Sequence, residues 1–570
     1  MRMDFTGATA ESIGHLGLIA ATIQDSGLMD VVNDQLGVTG GSVKHGHRVG
    51  AMILNGLGFI NTALYMTPRF FYDKPIALLL GDGVTADQLN DDCLGRCLDK
   101  IAAYGTTKWY SEVALAVVSK AGLLSRMAHL DSTTLSLYGA YDSVEANVSP
   151  KPLLGYSKDH RPDLKQVTLQ CVSLGKSALP IWMEALDGNS SDKKSFPETV
   201  KRVNDFYKQV ESAPEMCFVS DSALYGEKLN ELNVDWLTRV PETYNEAKLL
   251  CDRIDVSWNQ SSDQRYQFCE YSPADKAERW LLIRSEPAFN RENNTFLRKH
   301  ERMFEELQKL LWHCSCQQFN CKNDAIKNID KIIRSKKHFY NVCYDIIKLP
   351  RYDGKGRPHK NQEPKSFMYQ VKITGISSNL TEILKKRKTL GRFVLATNVL
   401  NKETITNESM LLEYKDQSEI ERGFRFIKND TFGLDEVYLK KPERIGALMA
   451  VMTLCLLMYG LTQYKLREAL QRNNEVLPNQ KKKPTNKPTL MWVFALFSSV
   501  VMVNLQESGK NKRIVLNLHP LHQKVILLLG EAARKIYLLP DTLGLQDIVL
   551  NQKTWLIAVS HLVRSHNRNV

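Results

Sequence analysis

The segment YKDQSEIERGFRFIK, residues 414–428, places acidic, cationic and aromatic side chains at helical spacings. At about 100° per residue, its polar members share one side of a helix. These members are Tyr414, Gln417, Glu421 and Lys428, with Arg425 close beside them. A separate apolar stripe of Ile420, Phe424 and Ile427 would bury the helix. Glu421 is therefore either part of ordinary ion pairs on a solvated face or an acid held in place for chemistry.

Two aspartates occupy predicted strands at positions where a carboxylate could bind a cation. Asp131 lies within HLDSTTLS, a β-branched alternating segment, and Asp221 follows the apolar residues CFVS. An unpaired carboxylate in a buried strand is costly, and a bound cation would remove that cost for Asp131. Asp221 alone is equally consistent with a turn or a helix cap. Because Mg²⁺ takes oxygen ligands, Asp131, Asp221 and Glu421 together could hold it.

The elements that must position these acids follow one another in a recognisable order. Three alternating segments, MAHLDSTTLSLYG, KQVTLQCVSLG and ALPIWMEALDG, predict strands in meander order. A helix over KKSFPETVKRVNDFYKQVES follows, and then a strand, a short helix and a strand over EMCFVSD, EKLNELN and VDWLTRVP. The order β-β-β-α-β-α-β predicts a mixed α/β domain in which one sheet is covered by helices.

The rest of the chain divides by composition and pattern into further segments. Residues 1–125 are predicted to be helical, and a helix–turn–helix near their end serves either DNA contact or packing. The predicted segments are 1–125 for DNA binding or dimerisation, 126–240 for the first part of the core, 241–405 as an inserted unit, 406–472 for the second part of the core, 473–489 as a linker, and 490–570 as a C-terminal helical unit.

Bulk composition limits the class of partner. The chain has 570 residues and a net charge of +12, which favours a polyanion, with nucleic acid first and an anionic membrane surface second. Eleven scattered cysteines and a polar start predict a reduced, cytoplasmic setting. The apolar runs Gly446–Leu461 and Leu490–Val503 are shorter than the roughly 20 residues of a spanning helix, so we expect no membrane insertion and a buried helix at the first run. The Cys cluster at 314–321 fits zinc spacing only loosely.

These residues resemble those of the DDE insertion-sequence transposases. The strand order, the aspartates on the first and after the fourth strand, and the later glutamate resemble a ribonuclease H-like core interrupted by an insertion. Tyr414, Glu421 and Lys428 match a tyrosine–arginine–glutamate–lysine signature in that family, but Gln417 stands where arginine is usual. This departure puts a phosphate contact at residue 417 in doubt. The segment GYSKDHRPDLKQ also resembles one that follows the first aspartate in a subgroup of the family.

The resemblance implies a fold and an activity. It implies a DDE transposase that binds terminal inverted repeats and performs metal-dependent cleavage and strand transfer by cut and paste. Asp131, Asp221 and Glu421 would be the catalytic metal ligands for two Mg²⁺ ions, with Mn²⁺ as a substitute. The implied partners are transposon-end and target DNA, with a homodimer or larger assembly on DNA in a prokaryotic cytoplasm, at the nucleoid. No P-loop motif occurs, so no ATP-driven step is expected.

Several cations and polar groups are candidate DNA contacts. On the glutamate helix these are Tyr414, Gln417, Arg425 and Lys428, and Arg425 is equally consistent with a plain surface cation. In the loop that follows the Asp131 strand they are Lys158, His160, Arg161 and Lys165, for which a solvated hairpin is the alternative. Two other functions stay open: a ribonuclease H-like, structure-selective nuclease without transposition, and a domesticated DNA-binding protein. Three clustered acids argue against the second, because a pure DNA binder has no use for them beside phosphates.

Overall fold

The protein is described by a computed structural model over most of its length. The described residues are 8–59, 64–137, 141, 149–158, 160–210, 213–335, 339–353, 357, 359–360, 362–427, 441–507 and 510–548. Within these ranges, the side chains of residues 227, 230, 335, 418–422, 425–427, 506–507 and 510–511 are outside the description. The chain forms two compact units, of which one comprises Met1–Leu237 with Leu411–Val570 and the other Thr238–Met410.

The N-terminal part of the first unit is helical, as expected. Its elements are β1 (Thr9–Ser12), α1 (Leu16–Ser26), α2 (Leu28–Leu36), α3 (His45–Gly56), α4 (Thr67–Phe71), α5 (Ile76–Leu80), α6 (Asp91–Tyr104) and α7 (Thr106–Lys120). Asn90 caps α6 because its side chain accepts a hydrogen bond from the backbone N–H of Cys93 at 3.0 Å. Gly105, at a φ of 98°, then separates α6 from α7.

The central sheet follows in the predicted order. Its elements are β2 (Met127–Leu137), β3 (Lys165–Leu174), β4 (Leu179–Leu186), α8 (Asp192–Tyr207), β5 (Cys217–Ser220), α9 (Glu227–Asn230) and β6 (Asp235–Arg239). In space the strands run β4-β3-β2-β5-β6, with β2 antiparallel to β3 and parallel to β5. The first three strands form a meander, and the fourth and fifth extend the sheet on the other side of the first. This is the arrangement of the ribonuclease H-like fold, so the predicted fold class is confirmed.

Helices cover both faces of this sheet, and the alternation of side chains along β4 decides which face each residue serves. Trp182 packs on Phe206 of α8, with ring centroids 5.4 Å apart. On the same face, Glu184 accepts hydrogen bonds from the Arg202 guanidinium at 2.8 and 2.9 Å. The opposite face is covered in part by α7, whose Tyr110 hydroxyl donates to the carbonyl of Pro180 at 2.7 Å.

The second compact unit has its own strands, helices and core. Its elements are α10 (Asn245–Asp252), β7 (Asn259–Gln260), β8 (Tyr266–Tyr271), β9 (Arg279–Ser285), α11 (Glu286–Cys316), β10 (Gln318–Phe319), α12 (Lys322–Ser335), β11 (Tyr340–Arg351), β12 (Ser366–Ser378), α13 (Leu380–Thr389) and β13 (Arg392–Thr397). Strands β11 and β12 pair over their whole length, and α11 and α12 pack on them. The core residues there are Leu307, Leu311, Cys314, Ala325, Ile329, Tyr340 and Val371.

The chain then returns to the first unit. The remaining elements are α14 (Asn407–Ile427), α15 (Pro442–Arg472), β14 (Leu477–Pro478), β15 (Pro484–Thr485), α16 (Leu490–Leu496), β16 (Val501–Glu507), β17 (Lys510–Leu516), α17 (Pro520–Leu529) and α18 (Glu531–Ile536). Among the described residues, α15 is the one helix long and apolar enough to cross a membrane, and 78% of its most apolar stretch is buried inside the protein. This burial confirms the predicted core helix at Gly446–Leu461.

Two segments near the end of the chain differ from expectation. The predicted linker is held in place, because the Trp492 indole donates to the carbonyl of Pro478 at 2.8 Å and Arg467 donates to that of Pro488 at 3.0 Å. The C-terminal region contains a β-hairpin besides its helices, and β16 of this hairpin pairs antiparallel with β1. The apolar run Leu490–Val503 is thus not one helix, since its valine-rich end favours a strand.

Candidate active site

Asp131 and Asp221 lie on or next to neighbouring strands in the middle of the central sheet. Asp131 is on β2, and Asp221 directly follows Ser220, the last residue of β5. The parallel ladder of β2 and β5 pairs His129 with Val219. Neighbouring strands are about 4.8 Å apart, so this ladder brings the backbones of the two aspartates close together at the carboxyl end of β5.

The face that carries Asp131 is identified by its neighbour. Ser132 lies in a cross-strand row with Gln170 and Glu184. That row faces α8, because Glu184 binds Arg202 of this helix. Since side chains alternate along a strand, Asp131 points to the opposite face of the sheet.

The two aspartates differ in their surroundings. Asp131 is half-buried, and its Oδ1 accepts a hydrogen bond from the backbone N–H of Ser132 at 2.7 Å. Asp221 is exposed, and its Oδ1 accepts from the backbone N–H of Ala223 at 2.8 Å in the turn after β5. Asp221 thus takes the turn role that its sequence allowed and also lies beside Asp131. Burial, and then the Asp131 carboxylate, raise the pKa of the neighbouring Cys171 thiol, so that cysteine stays protonated.

Helix α14 packs on the same face of the sheet as Asp131. Glu413 of this helix places its Oε2 3.9 Å from Nε2 of His129, two residues before Asp131 on β2. Gln417, one turn further along α14, is buried. The backbone of α14 includes Glu421, whose side chain is outside the described residues. Helical geometry puts Glu421 one turn beyond Gln417 on the stripe that begins at Glu413.

The contact between His129 and Glu413 was not found from the sequence. Burial lowers the pKa of His129 to about 4 and raises that of the Glu413 carboxyl. Within the part of the chain that the structure describes, both ring nitrogens of His129 and the Oε2 of Glu413 have no hydrogen-bond partner. The sequence pattern that could have pointed to His129 is its spacing of two residues from Asp131, which puts both side chains on one face of β2. This contact joins β2, which carries Asp131, to α14, which includes Glu421.

The predicted loop contacts with DNA have varied surroundings. Lys158 is engaged within the protein, because its ammonium donates to the carbonyl and to the hydroxyl of Ser132, both at 2.7 Å. Arg161 is more exposed and pairs with Asp163 at 2.8 Å. His160 is exposed with a φ of 58°, and Lys165 is half-buried at the start of β3.

The predicted contacts on the glutamate helix are only partly described. Tyr414 is half-buried, and Gln417 is buried. The Arg425 side chain and the whole of Lys428 are outside the described residues. The role of these residues in DNA binding stays a prediction.

The acidic pair suits a divalent cation. Carboxylates that lie close together offer the oxygen ligands that Mg²⁺ and Mn²⁺ accept, and such a cation would offset their mutual repulsion. The described side chains, which do not include that of Glu421, contain no group of three or more metal-ligating residues. In the cysteine segment, Cys314 is buried with its thiol 3.4 Å from the Asn328 amide oxygen, while Cys316 and Cys321 are exposed.

Comparisons with known proteins give a family for most of the chain. The family profile described as "Transposase DDE domain" matches residues 126–458, which is more than half of the 570 residues. A second profile, a domain of unknown function (DUF4277), matches residues 8–115. No curated protein sequence matches the chain significantly. Among solved structures, the chain is similar to a piggyBac transposase determined by cryo-EM as a synaptic complex with hairpin DNA, at 9% identity and a TM-score of 0.35, over 93% of this chain and 86% of that one.

Proposed function

Because this chain belongs to the Transposase DDE domain family, we propose that it moves an insertion sequence by cut and paste. It would bind the terminal inverted repeats, cleave the DNA at the ends, and join the 3′ ends to target DNA. The observation that carries this proposal is the parallel pairing of β2 and β5, because Asp131 lies on β2 and Asp221 directly follows β5.

The residues of this site would divide the work among rigid elements. Asp131, Asp221 and Glu421 would hold two Mg²⁺ ions, or Mn²⁺ in their place. Such a metal pair activates a water or a 3′-hydroxyl and stabilises the leaving 3′-oxygen. The parallel strands would hold the first two carboxylates near each other. The backbone N–H of Ser132, which donates to Asp131, would orient this carboxylate, and α14 would supply Glu421.

DNA binding would rest mainly on phosphate contacts. The net charge of +12 supports affinity for a polyanion that weakens with salt. Lys428 would hold a phosphate near the cut, Tyr414 would stack or hydrogen-bond on the same strand, and Gln417 and Arg425 would support them. His160, Arg161 and Lys165 would contact DNA beside the Asp131 strand.

The place of action and the alternatives follow from the same chemistry. We place the protein in a prokaryotic cytoplasm, at the nucleoid when bound to DNA, as a dimer or larger assembly. A structure-selective nuclease would use the same three carboxylates without strand transfer. Short inverted repeats flanking the coding region would support the transposase, and their absence would favour the nuclease.

Removing each acid separately tests the catalytic assignment. We expect Asp131→Ala, Asp221→Ala and Glu421→Ala each to abolish cleavage of end DNA and to leave its affinity nearly unchanged, because metal ligands serve the chemistry while phosphate contacts dominate affinity. A gel shift and a Mg²⁺-dependent cleavage assay on each variant measure the two properties. Asp205→Ala, on the exposed side of α8, is the matched control. Robust cutting by one of the three variants would remove that residue from the site.

A further inference from the structure

We propose that Lys158 is a positioning residue that fixes the strand segment carrying Asp131, through Ser132 and Asp192. This role rests on the proposed function in one respect, which is that Asp131 is catalytic. It differs from the DNA contact that the sequence suggested for Lys158, and the two roles give opposite results in the experiment below.

The Lys158 ammonium is bound on several sides by protein atoms. It donates to the Ser132 carbonyl and hydroxyl, both at 2.7 Å, and to Oδ2 of Asp192 at 3.3 Å. The Ser132 hydroxyl in turn donates to Oδ1 of Asp192 at 2.6 Å. Lys158, Ser132 and Asp192 thus form a closed set of hydrogen bonds that joins the loop, β2 and the first turn of α8. The lysine and aspartate side chains are 35% and 25% exposed, so solvent screens this set only in part.

The residue whose carbonyl Lys158 binds is next to the proposed catalytic acid. The N–H of Ser132 donates to Asp131 Oδ1 at 2.7 Å, and its carbonyl accepts from Lys158. The parallel ladder of β2 and β5 ends at His129 and Val219, and Ser220 is the last residue of β5. Ser132 therefore lies beyond the end of the parallel ladder, where β5 offers no backbone partner. The lysine supplies a restraint at the point where this ladder stops.

The loop that carries Lys158 is itself held by hydrogen bonds, so both the backbone and the ammonium of this lysine are restrained. The backbone N–H of Lys158 donates to the Thr134 hydroxyl at 3.0 Å. Gln166 of β3 donates its side-chain amide to the carbonyls of Tyr156 at 3.1 Å and Gly188 at 2.7 Å. A Cβ on Gly155 would lie 2.3 Å from the Gly188 carbonyl oxygen, so this glycine permits the close packing of the two loops.

The charges around Lys158 also favour a contact within the protein over a contact with DNA. Asp192 lies beside the ammonium, and a carboxylate at that place repels a DNA phosphate rather than recruiting one. Asp192 lies in the first turn of α8, where the helix dipole stabilises a negative charge.

The experiment separates positioning from DNA contact by measuring rate and affinity apart. We expect Lys158→Met to slow single-turnover cleavage at saturating end DNA by about tenfold or more, because a misplaced catalytic group loses the benefit of orientation. The Kd for end DNA and its salt dependence should stay as in the wild type. The concentration of Mn²⁺ that half-saturates a thermal-shift titration without DNA should rise. Lys158→Arg should restore part of the rate.

Partner variants test whether the three residues act as one unit. Asp192→Asn removes a carboxylate and no cation. If this network served DNA contact, the variant would therefore cleave no more slowly than the wild type. A positioning role predicts slower cleavage by Asp192→Asn. It also predicts that the double variant Lys158→Met with Asp192→Asn cleaves only slightly more slowly than the slower of the two single variants. Lys193→Met, an exposed lysine next to Asp192, is the matched control and should cleave saturating DNA at the wild-type rate.

Each of the other outcomes contradicts a named part of the proposal. A weaker Kd with a salt slope reduced by about one and a wild-type rate at saturation would make Lys158 a phosphate contact and overturn positioning. A wild-type rate in Asp192→Asn would overturn the network. If the wild-type chain shows no Mg²⁺-dependent cleavage of end DNA, the proposed function fails. The Mn²⁺ titration then decides alone: a shift in Lys158→Met supports positioning of Asp131, and an unchanged titration overturns it.

Discussion

At the residue scale, two aspartates come together where the parallel ladder of β2 and β5 ends. Like charges close to each other repel, and Asp131 is in addition partly removed from water. A bound cation would offset both costs. If the proposed metal site is correct, the stability of the protein is therefore linked to metal binding.

Metal should therefore stabilise the folded protein through these two residues. We expect added Mg²⁺ to raise the melting temperature of the wild type, because binding raises the free energy of unfolding by RT ln(1 + [Mg²⁺]/Kd), or about 2.7 kcal/mol at 100 times Kd. Asp131→Asn and Asp221→Asn should melt higher than the wild type without metal, since repulsion is relieved, and respond less to Mg²⁺. Thermal unfolding with and without EDTA measures this, with Asp205→Asn as control. Equal responses in all four proteins would contradict metal binding at the pair.

The sequence was sufficient to place two aspartates on or after strands of the central sheet and insufficient for what surrounds them. The position of Asp131 on β2 and that of Asp221 just after β5 could be predicted from local alternation, while their role as metal ligands stays a prediction. The contacts of Lys158 and Glu413 could not, because their partners, Asp192 and His129, are distant in sequence and meet them only in the folded chain. From the sequence alone, a lysine in a polar loop that binds DNA cannot be distinguished from one that binds a neighbouring strand.

At the scale of elements, long periodic segments were predictable and paired short ones were not. The meander β2-β3-β4 and the helix α8 were predicted from local alternation and helical periodicity. The hairpin β16–β17 was missed although its two strands are adjacent in sequence, and its pairing with β1 could not be predicted because it joins opposite ends of the chain. The tail consequently packs with the N-terminal helices, where the Tyr537 hydroxyl donates to the carbonyl of Gly14 at 2.6 Å.

This C-terminal assembly should be sensitive to acid through His522 of α17. The buried ring bonds the Leu496 carbonyl through Nε2 at 2.9 Å and accepts from the backbone N–H of His519 at Nδ1 at 3.0 Å, which suits the neutral tautomer. Burial lowers its pKa from 6.5 to about 4. Because the folded pKa lies below the unfolded one, this stability is complete above pH 6.5 and is lost as the pH falls toward 4. The loss amounts to about 3 kcal/mol.

Replacing this histidine separates its contribution from that of the other buried histidines. His522→Gln should be less stable than the wild type at pH 8, since a packed ring is lost. Its free energy of unfolding should fall less than that of the wild type between pH 6.5 and 4. Urea denaturation across this range gives the difference, and parallel curves for the two proteins would show that His522 does not titrate in this window.

At the scale of the whole molecule, one chain offers one acidic site, and the proposed reaction has two DNA ends. Pairing of the ends before joining requires at least two chains, each serving one end, so we expect the complex with end DNA to be a dimer or larger. Mass measurement of the complex with duplexes carrying one terminal repeat should give at least two chains and two duplexes. Mixing wild-type chains with Asp131→Ala chains should then yield mixed complexes that cut one end but fail to join both. Because paired joining needs two intact sites, in a randomly mixed dimer it should fall with the square of the wild-type fraction, while total cleavage falls linearly. Wild-type chains alone set the reference for both. Paired strand transfer by a complex that contains a single chain would rule the assembly out and leave the assignment of the acids to their own variants.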